Sequence, residues 1–129
     1  MMSDAKLTVD AGACRFITTV AASPSDDLMT VRLTITSDCP NVKRLAEDLR
    51  EADVIETVGS GLLGNPVMKK CDEFIPHPAC PVPCAVVKAA EVASEQAVRR
   101  EVTIRFEWCR KQLTLTTGDE QWKMICISA

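Results

Sequence analysis

The chain has 129 residues, 47% of them hydrophobic and 26% charged, a balance that suits a single domain over residues 1–129 with a core of useful size. Its formal net charge of −3 and the lack of any Lys/Arg cluster interleaved with aromatics give no footing for a nucleic-acid partner. No apolar run approaches the roughly 18 residues a membrane-spanning helix needs, and the opening MMSDAKLT lacks the basic-then-apolar order of a secretory signal, so a cytoplasmic protein with no membrane partner is expected.

Residues 6–9 and 16–21 read as strands, separated by the turn formers Asp10, Ala11 and Gly12, which carry the chain into Cys14 at the mouth of the second strand. After the loop Ser23-Pro24-Ser25-Asp26-Asp27, Val31, Leu33 and Ile35 alternate with Arg32, Thr34 and Thr36, the period of a half-buried antiparallel strand. Ser37-Asp38-Cys39-Pro40 ends it. Ser37 or Asp38 is the expected N-cap of a helix whose first turn tolerates Pro40 and whose Val42, Leu45, Ala46 and Leu49 fall at helical spacing. Cys39 then lies at a helix N-terminus, where partial positive charge favours thiolate.

Residues 53–65 read as a loop. Their Gly59, Gly61 and Gly64 spell GxGxxG, but they follow a helix and precede Asn65-Pro66, so the strand-helix-strand setting of a dinucleotide site is missing. A short helix is expected over 66–74 with Val67, Cys71 and Phe74 on one face, making Cys71 a core residue. The prolines of Pro76-His77-Pro78-Ala79-Cys80-Pro81-Val82-Pro83-Cys84 hold Cys80 on a stiff, extended segment. Pro83 opens the next helix, expected to reach Ala97 with Val82, Val86, Ala90, Ala93 and Ala97 on one side. Val102, Ile104, Phe106 and Trp108 alternate as in a strand, and two more strands are expected over 113–115 and 122–127, the last with an edge that could pair in a homodimer. This order predicts an α+β fold, an antiparallel sheet with helices packed on one face.

Seven cysteines, an odd number without an export signal, read as thiols or ligands rather than as a disulfide framework. Cys14, Cys39 and Cys80 each stand where an element begins or ends, and thiols at chain turns can converge on one point, whereas Cys71, Cys109 and Cys126 fit core positions. Their order, thiol, strand, strand, thiol, helix, long connection, thiol, helix, resembles the iron-sulfur cluster scaffold family of the IscU or NifU N-terminal type over residues 10–97, with Val87-Lys88-Ala89-Ala90 downstream of the third thiol. The chain departs from that pattern in having Phe16 where the family has an Asp, Asp38 where it has a Gly, and His77 three residues before Cys80 rather than directly before it. The contexts DAGAC, SDC and CPVP also resemble a small, functionally uncharacterised cysteine-containing family of anaerobic microbes.

Three converging thiols would make a site for an iron-sulfur cluster or zinc, with a fourth position filled by His77, Asp38, Asp10, Cys84 or an external ligand. The resemblance implies a scaffold, carrier or sensor with protein donors and acceptors of metal or sulfur as partners. Two other readings stand beside it: a sulfur carrier or thiol enzyme using Cys80 or Cys84, and a non-catalytic binding module whose cysteines are structural. No Ser/His/Asp set, paired-carboxylate context or GxxxxGK loop is present, so hydrolase and kinase chemistry lacks its parts.

Overall fold

A computed structural model describes residues 4–107 and the strands 109–115 and 122–128, the last two as backbone. The chain divides into two compact units, residues 1–99 and 100–129.

The first unit is α+β. Strand β1 (Ala5–Asp10), β2 (Ile17–Pro24), β3 (Thr30–Ser37) and β4 (Glu51–Asp53) form an antiparallel sheet in that spatial order. Val31, Leu33 and Ile35 of β3 and Thr18, Val20 and Ala22 of β2 are buried while Arg32, Thr34 and Thr36 face solvent, so the sheet presents one apolar face, as the period-two alternation predicts. Helix α1 (Pro40–Asp48) packs on β3, and α4 (Val82–Ala93) lies across β1 and β2. The buried side of α4 is Val82, Ala85, Val86, Ala89, Ala90 and Ala93, small residues that let its axis come close to the strands. Helix α3 (Pro66–Phe74) bridges α1 and α4, and its Val67 and Cys71 enter the core with Leu45, Val42 and Val86. Each fully buried Val or Leu of this set contributes about 1.5–3 kcal/mol of apolar transfer energy.

Four expectations need correction. The N-cap of α1 is Cys39, which makes no side-chain cap hydrogen bond; the Ser37 hydroxyl instead accepts the Cys39 N–H at 3.1 Å. Residues 53–65 are not all loop: β4 is followed by α2 (Val54–Gly59), opened by the Asp53 carboxylate, which accepts the Glu56 N–H at 2.9 Å. Helix α4 stops at Ala93, because the Ser94 hydroxyl donates back to the Ala90 carbonyl at 2.7 Å and Glu95 turns into the left-handed region at φ 62°. Residues 101–107 form no strand, and Val102, Ile104 and Phe106 are exposed.

In the second unit, β5 (Cys109–Leu115) and β6 (Trp122–Ser128) pair antiparallel, with Leu115 opposite Trp122. Trp108 and the side chains of Cys109 and Cys126 lie outside the described residues. Among the described residues no helix is long and apolar enough to cross a membrane.

Candidate functional site

The register of the sheet sets two of the three thiols at the same end. Asp10 pairs with Ile17 and Thr18 with Ser37, so the β1–β2 turn that carries Cys14 and the β3–α1 junction that carries Cys39 leave the sheet side by side. The turn is built locally. The Asp10 carboxylate accepts the Gly12 N–H at 2.9 Å, Gly12 sits at φ 79°, and the Arg15 N–H donates to the Gly12 carbonyl at 2.9 Å with Arg15 itself left-handed at φ 62°. Cys14 is exposed on this turn. Cys39 is half-buried against the core, and its carbonyl accepts the Lys43 N–H at 2.9 Å, the first turn of α1.

Cys80 is supplied by the segment between α3 and α4. The Cys80 N–H donates to the His77 carbonyl at 3.2 Å, a turn that the flanking prolines favour, and delivers the sulfur half-buried at the start of α4. Burial raises the Cys80 thiol above its ordinary value; the Val82 backbone N–H, in the first turn of α4, donates to the sulfur and pulls the other way. Coulombic repulsion from Cys39 and then from Cys14 adds to the rise, so each of these two thiols lies within electrostatic reach of Cys80. As the side chains stand, no group of three or more His, Cys, Asp and Glu among the described residues is arranged to hold a metal ion.

The candidate fourth ligands separate into two pairs. Asp10 anchors the Cys14 turn and Asp38 is an exposed residue beside Cys39. His77 and Cys84 instead line a cleft of about 290 Å³ together with Cys80, Cys71 and Asp72, walled by Leu62, Met68, Ile75, Pro78 and Pro83. That cleft was not foreseen. Its signal is the spacing of Met68, Cys71 and Asp72, which puts three residues on one side of α3, continued by its C-cap Ile75, along the cleft that Cys80 and Cys84 also line. Cys71 is a core residue as expected, 2% exposed, with its thiol pushed up to about 12 by burial first and by the Cys80 charge second.

A family model described as a family of unknown function (DUF6951) matches residues 5–106, which include Cys14, Cys39, Cys71, Cys80 and Cys84 and exclude Cys109 and Cys126. No curated protein and no solved structure matches the chain.

Proposed function

The chain belongs to this family of unknown function, and from its own residues we propose that it binds a thiophilic metal ion or an iron-sulfur cluster through Cys14, Cys39 and Cys80, as a scaffold, carrier or sensor that exchanges its load with protein donors or acceptors. The observation that carries this reading is the sheet register that brings the Cys14 turn and the Cys39 junction out side by side, with Cys80 within electrostatic reach of both. Neighbouring thiolates repel, and a bound cation reverses that repulsion, so the arrangement becomes favourable on loading as protons leave. Zinc and iron-sulfur clusters both take thiolate donors, and the fourth position falls to His77, Cys84, Asp10, Asp38 or an external ligand. Loading draws the exposed Cys14 turn toward the two half-buried sulfurs. The element order, Cys14 before β2, Cys39 between β3 and α1, Cys80 before α4, also follows the thiol order of the IscU/NifU-type scaffolds.

Purification without oxygen, followed by iron, zinc and acid-labile sulfide analysis and a visible spectrum, tests this. Cys14→Ala, Cys39→Ala and Cys80→Ala should each lose the load, because ligands act as a unit, while Cys109→Ala and Cys126→Ala keep it. Equal retention in all five variants removes the proposal.

A further inference from the structure

Cys80 and Cys84 share a surface that neither Cys14 nor Cys39 lines. Both line the cleft between α3 and the start of α4. Pro81 already has helical backbone angles, φ −79° and ψ −8°, and the Ala85 N–H donates to its carbonyl at 3.1 Å, so the chain coils from residue 81 onward. Cys84 lies in the first turn of that helix and Cys80 immediately before its N-cap, so both thiols stand at the same end of α4. The two thiols differ in access: Cys84 is exposed and Cys80 is half-buried. Around them the cleft offers apolar walls from Leu62, Met68 and Ile75 and one carboxylate, Asp72, which makes no ion pair among the described residues; the nearby Lys70 is engaged with Asp48 at 2.9 Å and Glu73 at 3.6 Å.

We infer that this cleft is a thiol-disulfide exchange site for small cationic disulfides, with Cys84 as the attacking thiol, Cys80 as the resolving thiol and Asp72 as the counter-charge for the substrate's ammonium arm. The Cys84 thiolate attacks one sulfur of the substrate R–S–S–R, the S–S bond breaks, and one RS⁻ leaves and is protonated by solvent. The Cys80 thiolate then attacks the Cys84 sulfur of the mixed disulfide and expels the second RS⁻. The two protein thiols are oxidised to one disulfide and the substrate is reduced to two thiols, so electrons and protons balance. Exposure suits the first role, since the substrate must reach the sulfur. The half-buried position of Cys80 suits the second, since its partner is then already in place. This inference does not rest on metal binding, because Cys14 and Cys39 take no part.

The probe is cystamine, a disulfide with two ammonium arms, added to the reduced full chain without oxygen, quenched in acid and read by intact mass with peptide mapping. In the peptide that holds Cys80 and Cys84, wild type should lose two hydrogens to a bridge and retain no adduct, Cys80→Ser should accumulate one half-cystamine on Cys84, and Cys84→Ser should react about tenfold more slowly. Asp72→Asn should narrow the preference for cystamine over the anionic 3,3′-dithiodipropionate. The double variant Cys14→Ser/Cys39→Ser should behave as wild type, so the exchange site stands even where the three-thiol site fails. An adduct that persists on Cys80 or Cys84 in wild type, a Cys84→Ser rate equal to wild type in that peptide, or loss of the Cys80–Cys84 reaction in the double variant overturns it. Far-UV circular dichroism on each variant keeps a folding defect from passing as a chemical one.

Discussion

Thr18 and Ser37 face each other across β2 and β3 and share a buried hydrogen bond of 2.7 Å between their hydroxyls. The same Ser37 oxygen accepts the Cys39 N–H at 3.1 Å, so a hydroxyl pair in the sheet fixes where the chain turns into α1 and where the Cys39 sulfur is delivered. Ser37→Ala removes both bonds at once and strands the Thr18 hydroxyl in the core. An orphaned buried hydroxyl costs about 1–3 kcal/mol. Urea unfolding should show Ser37→Ala destabilised by that amount. Ser37→Ala/Thr18→Val, which removes both partners, should cost less than the sum of the single changes. Additive losses would mean that the two hydroxyls do not act as a pair.

Asn65 plays the matching part at the cleft. It is buried, its side-chain amide donates to the Thr57 carbonyl at 2.7 Å, and its side-chain oxygen accepts the Val67 N–H at 3.1 Å, tying the last turns of α2 to the first turn of α3. Asn65→Ala leaves a carbonyl and an N–H without these partners and should lower stability by about 1–3 kcal/mol. Hydrogen exchange should localise the loosening to residues 57–67, next to the cleft wall formed by Leu62. Uniform loss of protection across the unit would contradict that local role.

The sheet was readable because Val31, Leu33 and Ile35 repeat with period two, and the helices because Pro40, Pro66 and Pro83 sit in first turns. Helix α2 was hidden by its short length and its glycine-rich exit, although Asp53 and Glu56 carry the spacing of an N-terminal cap. The alternation through Val102, Ile104 and Phe106 gave a false strand: a pattern of side chains does not form a strand unless a neighbour pairs its backbone, and none does at residues 101–107. The common end of Cys14 and Cys39 follows from hairpin register and was within reach of the sequence. The cleft was not, because it depends on how α3 and α4 pack, and no local periodicity encodes that placement.

Cys71 ties stability to alkaline pH. Its thiol is held at about 12 in the fold, mainly by burial, against an ordinary value of 9.0. Below pH 9 the thiol is neutral in both folded and unfolded chains, so its contribution is fully present. Between about 9 and 12 the unfolded chain has lost the proton and the folded chain keeps it, so stability falls as pH rises. Urea midpoints measured from pH 7 to 11 should therefore decline above about 9, and Cys71→Ala should show a shallower decline from a lower starting stability. An identical slope in both proteins would assign the alkaline loss to other groups.

The order in which the thiols react gives the last test and identifies the fourth ligand. Cys14 and Cys84 are exposed, Cys39 and Cys80 are half-buried, and Cys71 is 2% exposed. Reactivity requires both access and thiolate, and Cys71 lacks both. N-ethylmaleimide at neutral pH should modify Cys14 and Cys84 first, Cys39 and Cys80 more slowly, and Cys71 only on unfolding. Loading the proposed three-thiol site before labelling should then protect Cys14, Cys39 and Cys80 together. Cys84 is the discriminating residue: its protection by the load makes it the fourth ligand, and its unchanged labelling assigns the position to His77, to a carboxylate or to an external group. Protection of only one of the three sulfurs would show that the load sits on a single thiol and that Cys14, Cys39 and Cys80 do not form a common site.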